Sequence, residues 1–383
     1  MRIITIGSGI LGLSVALNLA RKGASVELID SQETLGRTSE TSYAWTNASG
    51  KLDPNYHQLN VAGMEEHRVL HREFGMESSY TESGGLFIAD AAQESGLRER
   101  LLQLEQHQYP FRLVNAHEAE ELSGITPREN AALIAYFPKE GYVLPKKLMH
   151  NLRIAAETAG VQVTPGVVRS IADHFTSVSV ELMDGQVIHA DRVVLAAGRW
   201  SKSLASTAGI DLPMHDEVAK GSATIGVLGY ALAPQLNLRA VVHEPTINLR
   251  PSAPGQVVVQ ALDLNPQADP ASATTAGDPI GVELQNRFID LTGIKPERFE
   301  LRLSARSLPA DGMPIVGSAH AGSNVYTLVS HSGVTLGPLL GKLAAAEILE
   351  GTESDLLSPY RIGRFEDGSR SFEAHIPTRI GEQ

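Results

Sequence analysis

The sequence predicts an α/β protein of two lobes, and three observations carry that expectation. The chain opens on a strand, a glycine turn, a helix and a second strand; a fully apolar strand near residue 195 returns to the same texture; and residues 222–262 are strand-rich, alternating and broken by proline. At 383 residues there is chain enough for two ordinary domains, each with its own core.

The opening unit is the most regular. Arg2 to Ile6 is a β-branched run, and after the turn an apolar helical period runs through Leu13, Ala16, Leu17, Leu19 and Ala20 until Gly23 closes it. Ser25 to Asp30 then reads as a buried strand, completing a βαβ unit. From Tyr56 to Phe74 and from Leu97 to His107 the pattern is helical, with polar strands and loops around Gly84 to Ile88. A helix from about Lys146 to Ala159 leads back to a strand at Val161 to Val163, and Arg192 to Gly198 is apolar enough to be buried on both faces. After the second excursion come a surface loop over residues 265–281, a helix near Gly281 to Leu291, a strand at Asn324 to Val329 and a helix from about Pro338 to Leu349.

Composition narrows the classes of function. A formal net charge of −12 with no basic stripe argues against a nucleic-acid partner. The absence of cysteine excludes disulfides, thiolate metal sites and a cysteinyl cofactor link. With the first strand at Arg2 and the longest apolar stretches, such as Ile225 to Ala233, too short for a bilayer, the expectation is a cytoplasmic protein without an integral membrane segment. No Gly-x-Ser-x-Gly elbow is present. His67 and His71 have a zinc-binding spacing, but position 68 is Arg where the zincin pattern needs Glu, so no metal is expected and the pair reads as part of a solvated helix face.

The glycine turn carries chemistry. In Gly7-Ser8-Gly9-Ile10-Leu11-Gly12 the first glycine permits the tight turn, the second lets backbone approach a pyrophosphate, and the third allows helix and strand to pack closely. Phosphates meet the free N–H groups and dipole of the helix N-terminus, and Asp30 ends the next strand where an acid holds a ribose hydroxyl. This Rossmann-like fingerprint serves NAD and FAD alike.

Further segments resemble the D-amino-acid oxidase-like family of flavoproteins, which includes glycine oxidase, sarcosine oxidase and D-amino-acid dehydrogenases. The resemblance runs from Met1 to about Phe365. Thr38 to Ala48 is similar to the family's loop against the FAD diphosphate, with Thr41 and Ser42 as candidates. Val167 to Ile171 resembles the strand whose valine, here Val168, pairs with adenine. Ala196 to Ser201, with Ala197, Gly198 and Trp200, is similar to the turn that passes beside FAD. His331 to Pro338 looks like the segment that aims Gly333, Val334, Thr335 and Leu336 amides at the flavin N1–C2=O edge, with Pro338 starting the helix. His331 itself reads either as a catalytic residue or as a packed loop histidine.

The resemblance implies a Rossmann-like FAD-binding domain over residues 1–60, 140–212 and 302–375, and an antiparallel-sheet substrate domain inserted discontinuously as residues 61–139 and 213–301. It puts Arg306 where glycine-oxidase-like members hold a substrate carboxylate, a task for which a planar guanidinium is suited. The alternative is an ion pair with Asp311. Arg250 falls where sarcosine oxidases carry an oxygen-activating lysine; it reads either as a cation near the flavin or as an outward arginine on a sheet edge. The implied activity is oxidation of the C–N bond of an amino acid or secondary amine, by hydride transfer from the α-carbon to flavin N5, giving an imine that hydrolyses. FAD would be bound non-covalently, and the electron acceptor would be oxygen or another oxidant. A 2-hydroxy-acid dehydrogenase would use the same carboxylate clamp, and a partner-dependent FAD subunit is the reading from another class.

Overall fold

In a computed structural model of the chain, residues 1–31, 37–75, 79–272, 275 and 277–366 are described. Residues 367–375, which the sequence assigns to the FAD-binding domain, lie outside the described residues.

The β-branched opening strand becomes the centre of a six-stranded sheet. Arg2–Ile6 pairs in parallel with Ser25–Asp30 on one side and with Arg192–Leu195 on the other. Gln162–Pro165 extends one edge in parallel, Val325–Val329 the other, and Ile315–Ser318 closes that edge antiparallel. The predicted return of the chain near residue 195 is thus the strand next to the first one. Helix Ile10–Arg21 packs between helices Pro145–Thr158 and Gly333–Glu350 on one face. A three-stranded antiparallel sheet, Val168–Asp173, Val178–Leu182 and Val187–Ala190, shares the core of the other face with Ile4, Ile6 and Ile29.

The second sheet has eight strands in the order Arg298–Ala305, Ile225–Leu232, Gln256–Gln260, Asn248–Pro251, Val241–His243, Gly85–Asp90, Ala131–Phe137, Arg112–Leu113. It is antiparallel apart from one parallel pair, Val241–His243 with Gly85–Asp90, where the two excursions of the chain meet. One face buries Leu249, Val257, Val259 and Phe299 against Phe288 of helix Pro279–Thr292. The other face roofs the cavity described below.

Two sequence expectations are corrected here, by one arrangement. The last long helix runs Gly333–Glu350, starting five residues before Pro338, so the proline is inside it. In an α-helix the N–H of residue 338 would bond the carbonyl of Val334, and proline has none to give. His67 Nε2 lies 2.8 Å from that carbonyl and donates in its place. His67 and His71 are therefore no solvated pair: they are 0% and 4% exposed, and His71 bridges the His67 carbonyl and Ser79 Oγ at 2.7 Å each. Burial pushes His67 down to about 4, so its ring is neutral. Gly337 also has a packing reason, since a Cβ there would stand 2.4 Å from Ile10 Cγ2.

Candidate active site

One cavity, of about 720 Å³, runs from the glycine turn to the start of helix Gly333–Glu350, beneath the eight-stranded sheet. That volume is in the roughly 300–1,000 Å³ range of small-molecule sites.

The glycine-turn end is built from backbone. Gly7 has φ +103, and a Cβ on it would lie 2.5 Å from the Ala196 carbonyl oxygen. Gly9 caps helix Ile10–Arg21 without any side-chain hydrogen bond, so the helix opens onto the cavity with its N-terminal amides and dipole. The Asp30 carboxylate accepts from Ser8 N–H and borders the cavity. Ser39 Oγ approaches Ile10 N–H at 3.4 Å. Gly7, Gly9, Ile10, Leu11, Asp30, Thr41, Ser42, Val168, Ala197, Gly198 and Trp200 all line the wall. Gly12 does not: its Cβ position is 1.8 Å from the Gly7 carbonyl oxygen, so it serves helix–turn packing alone.

At the other end Gly333, Val334 and Thr335 line the cavity at the first turn of their helix. Leu336 does not; it is fully buried in the core beneath the parallel sheet, and its N–H bonds Ser332 O within the helix. Ser332 is held by Tyr56 Oη at 2.7 Å, and Thr335 Oγ1 reaches Trp45 O at 3.4 Å.

Arg306 and His331 meet here, on the same cavity wall. The Arg306 guanidinium lies over Gly226, where a Cβ would be 2.9 Å from Nη2, and Nη1 donates to the Ala223 carbonyl at 3.2 Å. Its alternative partner is taken: Asp311 is held by Arg364 Nε and Nη2 at 2.7 and 2.9 Å. Among the described residues no carboxylate pairs with Arg306, and burial alone pulls its pKa down to about 10. Burial, aided by Arg306 and Lys51, pushes His331 down to about 3, so it stands neutral.

Arg250 is 2% exposed on an interior strand, so it is no edge arginine, and it is not among the residues that line the cavity. Strand register explains why. Leu228 and Gln260, which line the cavity, share a row of the sheet with Asn248; Arg250 belongs to the next row, beside Val258 and Tyr230. Rows on one face are about 7 Å apart. There Arg250 Nη1 donates to Pro251 O at 2.7 Å and Val143 O at 3.4 Å, with the guanidinium 5.6 Å from the Tyr142 ring.

The structure adds residues that the sequence reading passed over. Lys51 lines the cavity although only 4% of it is exposed. Burial lowers it to about 7, against the opposing pull of Glu140. Glu140, fully buried and raised to about 7 by that burial, accepts from Trp45 Nε1 at 3.0 Å, Ser49 N at 2.9 Å, Ala48 N at 3.3 Å and Tyr109 Oη at 3.2 Å. It pins the loop that carries Trp45, Asn47 and Lys51 along the wall. No local pattern marks Lys51 or Glu140. Gly226 and Gln260 did leave a signal: a glycine inside a strand marks close approach, and a lone polar residue ends the run Val257 to Val259.

The donors fit FAD: a glycine turn at positive φ, an uncapped helix, a strand-end acid, and at the far end a second helix start facing the roof. Comparison with known proteins agrees. The family model described as DAO, FAD dependent oxidoreductase, matches residues 2–347. The chain is 24% identical over 229 residues to the 4-methylaminobutanoate oxidase (formaldehyde-forming) of Paenarthrobacter nicotinovorans, which covers 56% of this chain and 26% of that protein. It is 24% identical over 386 residues to the bifunctional protein ThiO/ThiG of Nostoc sp., covering 94% of this chain and 55% of that protein. The chain thus spans from a quarter to about half the length of these curated relatives. Glycine oxidase from Geobacillus kaustophilus superposes with a TM-score of 0.79 at 19% identity, over 98% of this chain and 100% of that one, which shows the shared fold. By the match along its length, this chain belongs to the DAO family of FAD-dependent oxidoreductases.

Proposed function

We propose that this protein oxidises the C–N bond of a carboxylated amine, an amino acid or a secondary amine, with FAD held non-covalently. The observation that carries the reading is Arg306: a partly buried guanidinium on the cavity wall that no protein carboxylate neutralises among the described residues. Removing a cation from water without an anion is costly, and a substrate carboxylate in bidentate contact would offset that cost. The names of two similar proteins, 4-methylaminobutanoate oxidase and glycine oxidase, are those of carboxylated amines, which supports the same class.

FAD, when bound, supplies the hydride acceptor at N5. The chain's own residues do the rest. Gly7, Gly9, Ile10, Leu11 and Asp30 would hold the ADP half, Thr41 and Ser42 the diphosphate, Val168 the adenine, and Ala197, Gly198 and Trp200 the cofactor's flank. The amides of Gly333, Val334 and Thr335 set a positive potential at the opposite end. Arg306 fixes the carboxylate and so orients the α-carbon. Asp30 is the one carboxylate lining the cavity among the described residues, and it belongs to the glycine-turn end, so no acid stands by as base for the amine. The amine therefore binds uncharged or loses its proton to Lys51, whose lowered pKa leaves it part neutral at pH 7. Water then converts the imine to an oxo acid. In this scheme residues 1–60, 140–212 and 302–375 carry the cofactor, and residues 61–139 and 213–301 the substrate.

The test is bleaching of the FAD-loaded protein without air by panels of amino acids, N-methyl amino acids and 2-hydroxy acids. Reduction by amines only is the expected result. Reduction by hydroxy acids only would replace this reading with a hydroxy-acid dehydrogenase. The rate of reoxidation on admitting air then sorts oxygen from another electron acceptor.

A further inference from the structure

The roof of the cavity carries a feature that binding of a carboxylate does not use. Gln260 ends the strand Gln256–Gln260, is 7% exposed and lines the cavity, and its side-chain Oε1 has no hydrogen-bond partner among the described residues. A buried primary amide offers two donors and two acceptor sites, and native proteins leave few such groups unmatched.

Its row of the sheet is polar. Gln260 pairs in register with Asn248, and Asn248 with His243, so three buried polar side chains occupy one row across adjacent strands. Asn248 Oδ1 is 3.0 Å from His243 Nδ1, and His243 Nε2 has no partner. On its other side Gln260 neighbours Leu228, which also lines the cavity, two residues along its strand from Gly226. Gly226 is the position over which the Arg306 guanidinium lies. Along a strand two residues span about 7 Å, and neighbouring strands lie about 5 Å apart. The positions of Gly226 and Gln260 are thus about 8–9 Å apart, a span that a small amino acid hydrogen-bonded at both ends can bridge.

We infer that Gln260 is a second recognition point, and that the substrate carries a hydrogen-bonding group, carboxamide, hydroxyl or carboxylate, in addition to the carboxylate and amine at the reacting end. This inference rests on the proposed amine oxidation and deepens it. Gln260 is a specificity-determining residue and takes no part in the bond-breaking step. The protein's own side chains leave this amide oxygen unmatched, and a polar substituent on the substrate matches it where an apolar one of the same size leaves it bare.

The experiment uses the FAD-loaded full chain and compares near-isosteric sets: asparagine, aspartate and leucine, then glutamine, glutamate and methionine, each as both enantiomers and as N-methyl derivatives. The readout is the second-order rate of flavin bleaching without air. The expected result is at least one polar member reacting about tenfold or more faster than its apolar isostere, with the carboxamide and carboxylate arms showing which polar group is preferred. In Gln260→Met, unbranched and of similar length, that ratio should collapse towards one; Gln260→Leu repeats the test if the first variant fails to fold. Equal rates within the sets, or a preference that survives in Gln260→Met, would overturn the inference and leave amine oxidation standing. Bleaching by no member of any set would instead overturn the proposed function, and this inference with it.

Discussion

The two ends of the cavity are made in different ways. The glycine-turn end is backbone: Gly7, Gly9 and Gly12 with the helix start behind them, all within thirty residues, and closed by Asp30 on the neighbouring strand. The roof end is side chains on elements distant in sequence, with Lys51, Gly226, Gln260, Arg306 and His331 gathered from one sheet and three loops. Backbone sites tolerate almost no added atoms, because neither partner can swing away. Side-chain sites tolerate substitution sterically and lose chemistry instead. Each prediction below tries this contrast at one point.

The largest effect is expected at Gly12. A Cβ 1.8 Å from the Gly7 carbonyl oxygen forces helix and turn apart, so Gly12→Ala should cost about 3 kcal/mol or more of stability and abolish FAD uptake. Thermal melting and flavin absorbance of the purified protein would show it; a variant that melts normally with full flavin would refute the backbone account of this end.

Arg306→Met should behave in the opposite sense. Losing a charge-assisted carboxylate contact worth roughly 1.5–3 kcal/mol lowers kcat/KM by about 100-fold, yet stability should hold, since a partly buried cation with no acid partner is removed. Activity that persists with carboxylated amines would place the carboxylate elsewhere.

Gly226→Ala falls between the two. The new Cβ meets the end of a flexible side chain, so Arg306 is displaced while the fold survives. A rise in KM of about tenfold, the scale of one such hydrogen bond, is expected with unchanged FAD content and a smaller change in kcat. An unchanged KM would mean that Arg306 does not bind substrate in its position over Gly226.

The last prediction leaves activity aside and concerns His67, which meets the first turn of the far-end helix. Its folded pKa of about 4 is below the ordinary 6.5, so its contribution is present above pH 6.5 and is lost as pH falls towards 4. Glu140, raised to about 7, acts in the opposite direction over part of the same window, so the comparison must be with a variant. His67→Gln keeps a donor for the Val334 carbonyl and should remove up to roughly 3 kcal/mol of the acid-induced loss between pH 6.5 and 4, measured by urea unfolding. Parallel curves for the two proteins would show that His67 does not titrate with folding.

Much of this molecule could be read before any coordinates. The βαβ unit, the buried strand at Arg192–Leu195 and the proline-broken second sheet are periodic or punctuated patterns, and each became an element near the expected place. The last helix was misread because proline normally marks a first turn, and only a donor 267 positions away in sequence lets Pro338 lie inside. For Arg250, sequence shows which strand it is on, whereas its burial and the row it occupies depend on pairing with Val258 and Tyr230.

What the sequence by itself determined is the glycine-turn end, since φ-permissive glycines, a helix start and a strand-end acid work through contacts among near neighbours. What only the tertiary structure decided is the chemistry of the far end. Whether a lysine is solvated or buried at a pKa near 7, whether an arginine meets an acid or waits for one, and whether a histidine faces water or a proline-orphaned carbonyl all depend on burial and partners. Those are properties of the space between distant segments, which comes into being only when the two sheets close over the cavity.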